Sequence, residues 1–312
     1  MDQNPKLNYP SQFALLLGLM GVLILISSFL VVFITMLVLH VPFPEAGKAI
    51  SRPENANLAR LLNTFGSLLC FVAPAFVLAK ILSPKPFSQL GFRRAISLKQ
   101  VAMVLVITFT GIMLSGALGQ LNESIPLPHK WYNKAKELED TYKTAMLSMA
   151  TMKTFGDYIL TLLVLAAAPA LVEEILFRGG FQQVFIGWTK SRWAGILITS
   201  ILFSAIHFSY FGFLPRLALG IILGLIFSYS KNIWLNIFLH FLNNALVVTQ
   251  LYVVGKQGKS IDKTVDENIP FWWGIIALVL LVILFRSFKK ESEQVLAAEE
   301  TSIHSSPENI LS

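Results

Sequence analysis

"APALVEEILFRGG", residues 168–180, sets two adjacent glutamates and an arginine inside an apolar run that extends from 157 to 187. A run of that length is long enough to cross a bilayer, for which about 17–25 residues suffice. Each ionisable side chain held at membrane depth costs about 2.5–3.5 kcal/mol on insertion scales. The stretch therefore predicts both a membrane fold and a polar site built within it.

The rest of the chain agrees with the first inference. Of 312 residues 54% are hydrophobic and 14% charged, against roughly 25% charged in soluble domains. Apolar runs fall at about 13–39, 61–82, 100–121, 157–187, 193–209, 213–230, 233–254 and 271–287. They predict an all-α, polytopic membrane protein with about eight transmembrane helices and a polar intramembrane cavity. The first run is too long for the apolar part of a signal peptide and is read as a retained helix.

The chain divides accordingly. An N-terminal cytoplasmic segment, 1–12, precedes three transmembrane helices in 13–121. Residues 122–156 form a polar insert with helical spacing of Leu, Met and Tyr, expected to be amphipathic at the interface and read as a solvated helix. Four helices occupy 157–254, followed by a loop and last helix in 255–290. The acidic, Ser-containing tail 291–312 is expected to be disordered.

Net charge is +7, but the basic residues cluster in short connections such as "KILSPKPFSQLGFRRAISLK" (80–99). That pattern is the one cytoplasmic loops carry and places both termini in the cytoplasm. A nucleic-acid partner is excluded, because no soluble face carries basic residues among aromatic platforms. The partner that this composition implies is the lipid bilayer. Cys70 is the only cysteine, so neither an intrachain disulfide nor a cysteine metal framework is available. "GIILG" (220–224) fits close helix packing.

Three helices carry polar groups at depth: Glu173, Glu174 and Arg178; His207; and His240, Asn243 and Asn244. Glu174 and Arg178, four apart, share a face in the favourable acid-before-base order. Glu173 is rotated about 100° from Glu174, so a pair between Glu174 and Arg178 leaves Glu173 facing elsewhere. Counting at 1.5 Å per residue from the connection at 187–192 puts Glu173 and His207 at matching depth. His240 and Asn244 share one face of their own helix. The three helices are expected to converge.

"EEILFR" (173–178), "FSAIH" (203–207) and "HFLNN" (240–244) resemble, in order, the EExxxR, FxxxH and HxxxN motifs of the CPBP family, the CAAX protease and bacteriocin-processing (ABI) group. The resemblance covers about 155–250 and is closest to type-two CAAX prenyl endopeptidases. It implies an intramembrane endopeptidase in which Glu173 and His207 activate water while His240 and Asn244 form an oxyanion hole. Glu174 and Arg178 would support them, with removal of Arg178 expected to misplace or protonate the glutamates. No cofactor is expected, and glutamate-type catalysis is favoured. Zinc held by Glu173, His207 and His240 is the alternative, although HExxH is absent and Asn is a poor zinc ligand. Two other classes stay open on the residues alone: a non-catalytic membrane adaptor or immunity factor, and a proton-coupled transporter, against which the lack of paired half-repeats speaks.

Overall fold

The computed structural model describes residues 7–150, 152–257 and 271–304. The chain is helical throughout these segments. Helix α1 (Tyr9–Leu39) is followed by the short α2 (Phe43–Ile50), α3 (Pro53–Leu82), α4 (Leu98–Ser124) and α5 (His129–Met149). Then come α6 (Phe155–Thr189), α7 (Arg192–Ala205), α8 (Phe213–Ser230), α9 (Ile233–Lys256) and α10 (Phe271–His304). Seven of these are long and apolar enough to span a membrane. Helix α7, at 14 residues, is the eighth apolar helix expected from sequence and falls short of the others.

Side-chain caps fix where the helices begin. Asn8 accepts from the Ser11 amide, Ser191 from Ala194 and Asn232 from Trp234. Ser97 and Thr154 open reciprocal capping boxes with Gln100 and Asp157. Each such cap satisfies amide donors that the helix itself leaves open. Asn232 also donates to the carbonyls of Arg93 and Ala95, and the Ile233 amide donates to Gly91. The basic 83–97 connection is thereby tied to the α8–α9 turn, so the basic connections gather at one end of the bundle.

At the opposite end α5 lies across the bundle. Buried Arg60 of α3 donates to Met149 at the end of α5 and to Thr161 on α6. Asn122, at the end of α4, donates to the Tyr210 carbonyl and accepts from the Leu214 amide. Glu139 of α5 accepts from Ser209, and Tyr132 meets Phe211 edge-on. No residue of α5 is buried, yet its inner face docks on the 206–212 turn.

Two differences from the sequence expectation stand out. Residues 291–304, expected to be a disordered tail, continue α10 as helix. Glu291 pairs with Lys99 and accepts from Ser97, Ser292 accepts from Gln100, and Glu299 pairs with Arg93. Composition reported the polarity of this segment but not the α4 surface that receives it. Residues 305–312 and the 258–270 part of the loop lie outside the described residues. The fifth helix stops at Ala205, short of the expected 209, because Phe208 takes a left-handed φ of 50° and turns the chain. His207 therefore stands just past the helix end.

The "GIILG" pair sits where α7 crosses α8. A Cβ at Gly220 would lie 2.9 Å from Ser200 Cβ, and one at Gly224 would lie 2.8 Å from Ile196 Cγ2. Close approach of this kind is what binds helices where lipid removes any hydrophobic drive for association. Gly220→Ala is expected to destabilise the reconstituted protein by about 1–3 kcal/mol, the usual cost of overpacking. Gly21→Ala, on α1 where a Cβ meets nothing within 4 Å, should be neutral or slightly stabilising in the same thermal-unfolding assay.

Candidate active site

The candidate site is assembled where α6, α7 and α9 meet. Helix α6 changes from α-helical to π-helical winding after Glu174, with the wider turns running through Gln182. Such wide turns are uncommon and are often found at functional sites. They leave Glu173 and Glu174 facing different neighbours.

Glu174 is fully buried and holds three partners. Arg178 Nε stands 3.2 Å from Oε2, Asn236 Nδ2 donates to Oε2 at 3.2 Å, and His240 Nδ1 lies 2.9 Å from Oε1. The Arg178 contact is ionic rather than a linear hydrogen bond, since Nε has no partner by hydrogen-bond geometry. Arg178 Nη2 reaches across to the Gly220 carbonyl of α8 at 3.1 Å, and Gln182 does the same to Gly224. The guanidinium carbon lies 5.1 Å from the Phe203 ring centroid, within cation–π range.

Glu173 is arranged differently. Its Oε2 is buried and has no hydrogen-bond partner, and it lies 3.8 Å from His240 Nε2. That gap is too long for a direct hydrogen bond and close enough for the charges of the two groups to bear on each other. A carboxylate only accepts, so with Glu174 ionised the His240 Nδ1 is the donor. In neutral His240 the lone pair at Nε2 then faces Glu173. The same logic applies to His207: its Nδ1 lies 2.8 Å from the Phe203 carbonyl, a pure acceptor, which frees Nε2. Phe203 organises the pair, with ring centroids 5.3 Å from His207 and 5.8 Å from His240.

One turn along α9, Asn243 Nδ2 donates to Asn244 Oδ1 at 3.2 Å. The Asn244 oxygen is thus occupied and its two N–H donors are left to point elsewhere. Among the described residues, no three His, Cys, Asp or Glu side chains come together in a set able to hold a metal ion.

Two residues were not picked out from sequence. Asn236 is fully buried, donates to both Glu174 and the Leu223 carbonyl, and precedes His240 by four. The signal existed as a four-residue polar repeat at 236, 240 and 244. Arg216, near the start of α8, is a charged neighbour of both Glu173 and His207. It was legible as a lone cation in "FLPRLALGIILG", but its proximity to the glutamates was not.

Comparison with known proteins follows the same segment. Residues 155–246 match the family described as "Type II CAAX prenyl endopeptidase Rce1-like". That segment is similar to an Rce1-like core. Over 175 residues it is 29% identical to an Escherichia coli protein named "Uncharacterized 24.3 kDa protein", covering 55% of this chain and 70% of that one. Over 204 residues it is 24% identical to the Bacillus subtilis (strain 168) protein named "Putative membrane peptidase YdiL", covering 65% of this chain and 77% of that one. No solved structure matches. The Rce1-like segment contains all three motifs and begins at α6, so α1–α5 and α10 lie outside it.

Removing one member of the Glu174 cluster should be costly, because its partner charge stays buried. Arg178→Ala is expected to lower unfolding free energy by about 3–5 kcal/mol, and Asn236→Leu by about 1–3 kcal/mol. Thermal unfolding in detergent checks both. Full retention of stability and activity in Arg178→Ala would refute this account of the cluster.

Proposed function

We propose that the protein is an intramembrane endopeptidase that hydrolyses a peptide bond of a membrane-associated polypeptide, of CAAX or leader/bacteriocin type, by glutamate- and histidine-activated water. Kinship with Rce1-like proteins and with a relative named as a membrane peptidase supports peptidase activity in general. The observation that carries the mechanism is Glu173: a buried carboxylate oxygen without a hydrogen-bond partner, 3.8 Å from an imidazole nitrogen. Its neighbour Glu174 is held by Arg178, Asn236 and His240, which makes Glu173 the better-placed carboxylate for the base.

In this mechanism Glu173 takes the proton of a water that is also held by His207 Nε2. The hydroxide adds to the scissile carbonyl carbon, and negative charge moves onto the carbonyl oxygen. Asn244, its amide oriented by Asn243, supplies an N–H to that oxygen. His240 has a role that depends on protonation. Neutral, it accepts at Nε2; once it takes the proton from Glu173, it becomes a donor at the same atom. It then serves the oxyanion and finally the departing amine, while Glu174 holds its Nδ1 throughout. A positioned acid–base group contributes about 10²–10⁴-fold, and an oxyanion donor about 10²–10³-fold.

The decisive comparison is membrane proteomics of cells carrying wild type or Glu173→Gln. The variant should accumulate uncut membrane peptides, with purified activity down at least about a hundredfold. Asn244→Leu should lose about 10²–10³-fold, mainly in kcat. A non-catalytic membrane adaptor would keep its phenotype in Glu173→Gln. Cleavage should also survive chelators such as 1,10-phenanthroline; loss under chelator with recovery on zinc addition would replace the glutamate base with a metal-activated water.

A further inference from the structure

At the basic end of the bundle, opposite α5, a cleft of about 260 Å³ opens between the 83–97 connection and the ends of α6 and α8. Ser88, Gln89 and Arg93 line it from the connection, Gln183 from α6, and Phe227 and Lys231 from the end of α8. The chain itself holds the walls. Gln183 Nε2 donates to the Gln89 carbonyl at 2.8 Å, and the Ile233 amide donates to the Gly91 carbonyl at 2.8 Å. A Cβ at Gly91 would collide with the Phe227 ring, so the connection is pressed directly onto α8.

The cleft offers donors and no acid. No carboxylate lines it. Among the described residues, the Lys231 ammonium, the Ser88 hydroxyl and the Gln89 side-chain amide have no hydrogen-bond or ion-pair partner. Arg192 stands nearby, its guanidinium carbon 5.0 Å from the Tyr229 ring centroid. Burial, with repulsion from Arg192 and Arg93, holds the Lys231 ammonium below the ordinary lysine range. Three cations thus bear on one another, and among the described residues Glu299 alone pairs with any of them, at 3.1 Å from Arg93. Lys231 also closes α8 with a left-handed φ of 54°. That position ordinarily falls to glycine or asparagine; what lysine adds there is the ammonium.

An anion with several acceptor oxygens completes this set. Lysine binds phosphate as a point charge, and the neighbouring hydroxyl and amide supply donors to its remaining oxygens. Basic pockets between membrane helices hold lipid headgroups in this way. We propose that the cleft is a binding site for a phosphate group, carried by an anionic phospholipid or free in solution, with Lys231 as its principal ligand. The cleft shares no residue with the candidate active site, so its occupancy is independent of the peptidase reading.

The test uses full-length protein in an uncharged detergent and three probes: dioctanoyl phosphatidic acid, dioctanoyl phosphatidylcholine and inorganic phosphate. By titration calorimetry, phosphatidic acid is expected to bind at least about tenfold more tightly than phosphatidylcholine, the scale of a charge-assisted hydrogen bond. Lys231→Asn should remove that preference with an unchanged unfolding midpoint, since asparagine suits the left-handed turn. Lys80→Gln takes a charge from the same end of the bundle but outside the cleft, and should keep the preference. Lys231-dependent binding of phosphatidic acid alone makes the occupant a headgroup; Lys231-dependent binding of inorganic phosphate makes it a soluble phosphate. A preference that survives Lys231→Asn, or that falls equally in Lys80→Gln, overturns the site, as does binding of neither phosphate. A second measurement needs no variant. The bound probe should suppress acetylation of Lys231 in wild type, read by peptide mass spectrometry, and leave that of Lys80 unchanged. Equal labelling of Lys231 with and without probe overturns the assignment.

Discussion

The bundle is organised around a single carboxylate. Glu174 sits where no water reaches it, and its two oxygens collect a guanidinium from its own helix and an amide and an imidazole from α9. Arg178 then extends the set to α8 through the Gly220 carbonyl. Lipid tails are as apolar as leucine, so burying leucines gives helices little reason to prefer one another. Hydrogen bonds and close backbone approach must select the partners instead. Gly220 provides both at one residue: its missing side chain admits α7, and its carbonyl receives Arg178.

That arrangement gives adjacent glutamates unlike surroundings. Neighbouring positions on a helix diverge by about 100°, and here one direction leads into the saturated cluster while the other leads to His240 Nε2. Glu174 accepts from Asn236, lies against His240 and faces Arg178, whereas Glu173 Oε2 has no hydrogen-bond partner. Exchange of the roles would require Arg178 to follow Glu173, which its position four residues after Glu174 prevents. His240 links the two, one ring nitrogen on each carboxylate. The structural glutamate fixes the ring that the free glutamate faces.

Much of this was legible in the sequence because the relevant physics is local. Run length gave the spans, and four-residue spacing placed Glu174 beside Arg178. Ionisable residues in apolar runs marked the helices that meet at Glu173. What escaped depended on contacts between distant segments. Asn236 is an ordinary polar residue until Glu174 arrives 62 positions away in sequence. The helical continuation of 291–304 exists because α4 presents Ser97, Lys99 and Gln100 to it. His207 was placed on a helix by counting, whereas the chain turns at Phe208.

Helix α5 gains its significance from the same logic. A polar helix with no buried residue would ordinarily be free to leave the surface. This one is attached at points that all bear on the turn following His207: Glu139 to Ser209, Tyr132 to Phe211 and Tyr142 to Arg216. Arg60 fixes its far end. Movement of α5 would therefore drag the 206–212 turn and release the Arg216 guanidinium, while the Glu174 cluster deeper in the bundle stayed locked. The contacts that hold α5 combine part-buried hydrogen bonds, from Arg60 and Ser209, with ring contacts at Tyr132 and Tyr142. The bundle thus combines a buried cluster built on Glu174 with a polar helix docked over the turn that follows His207.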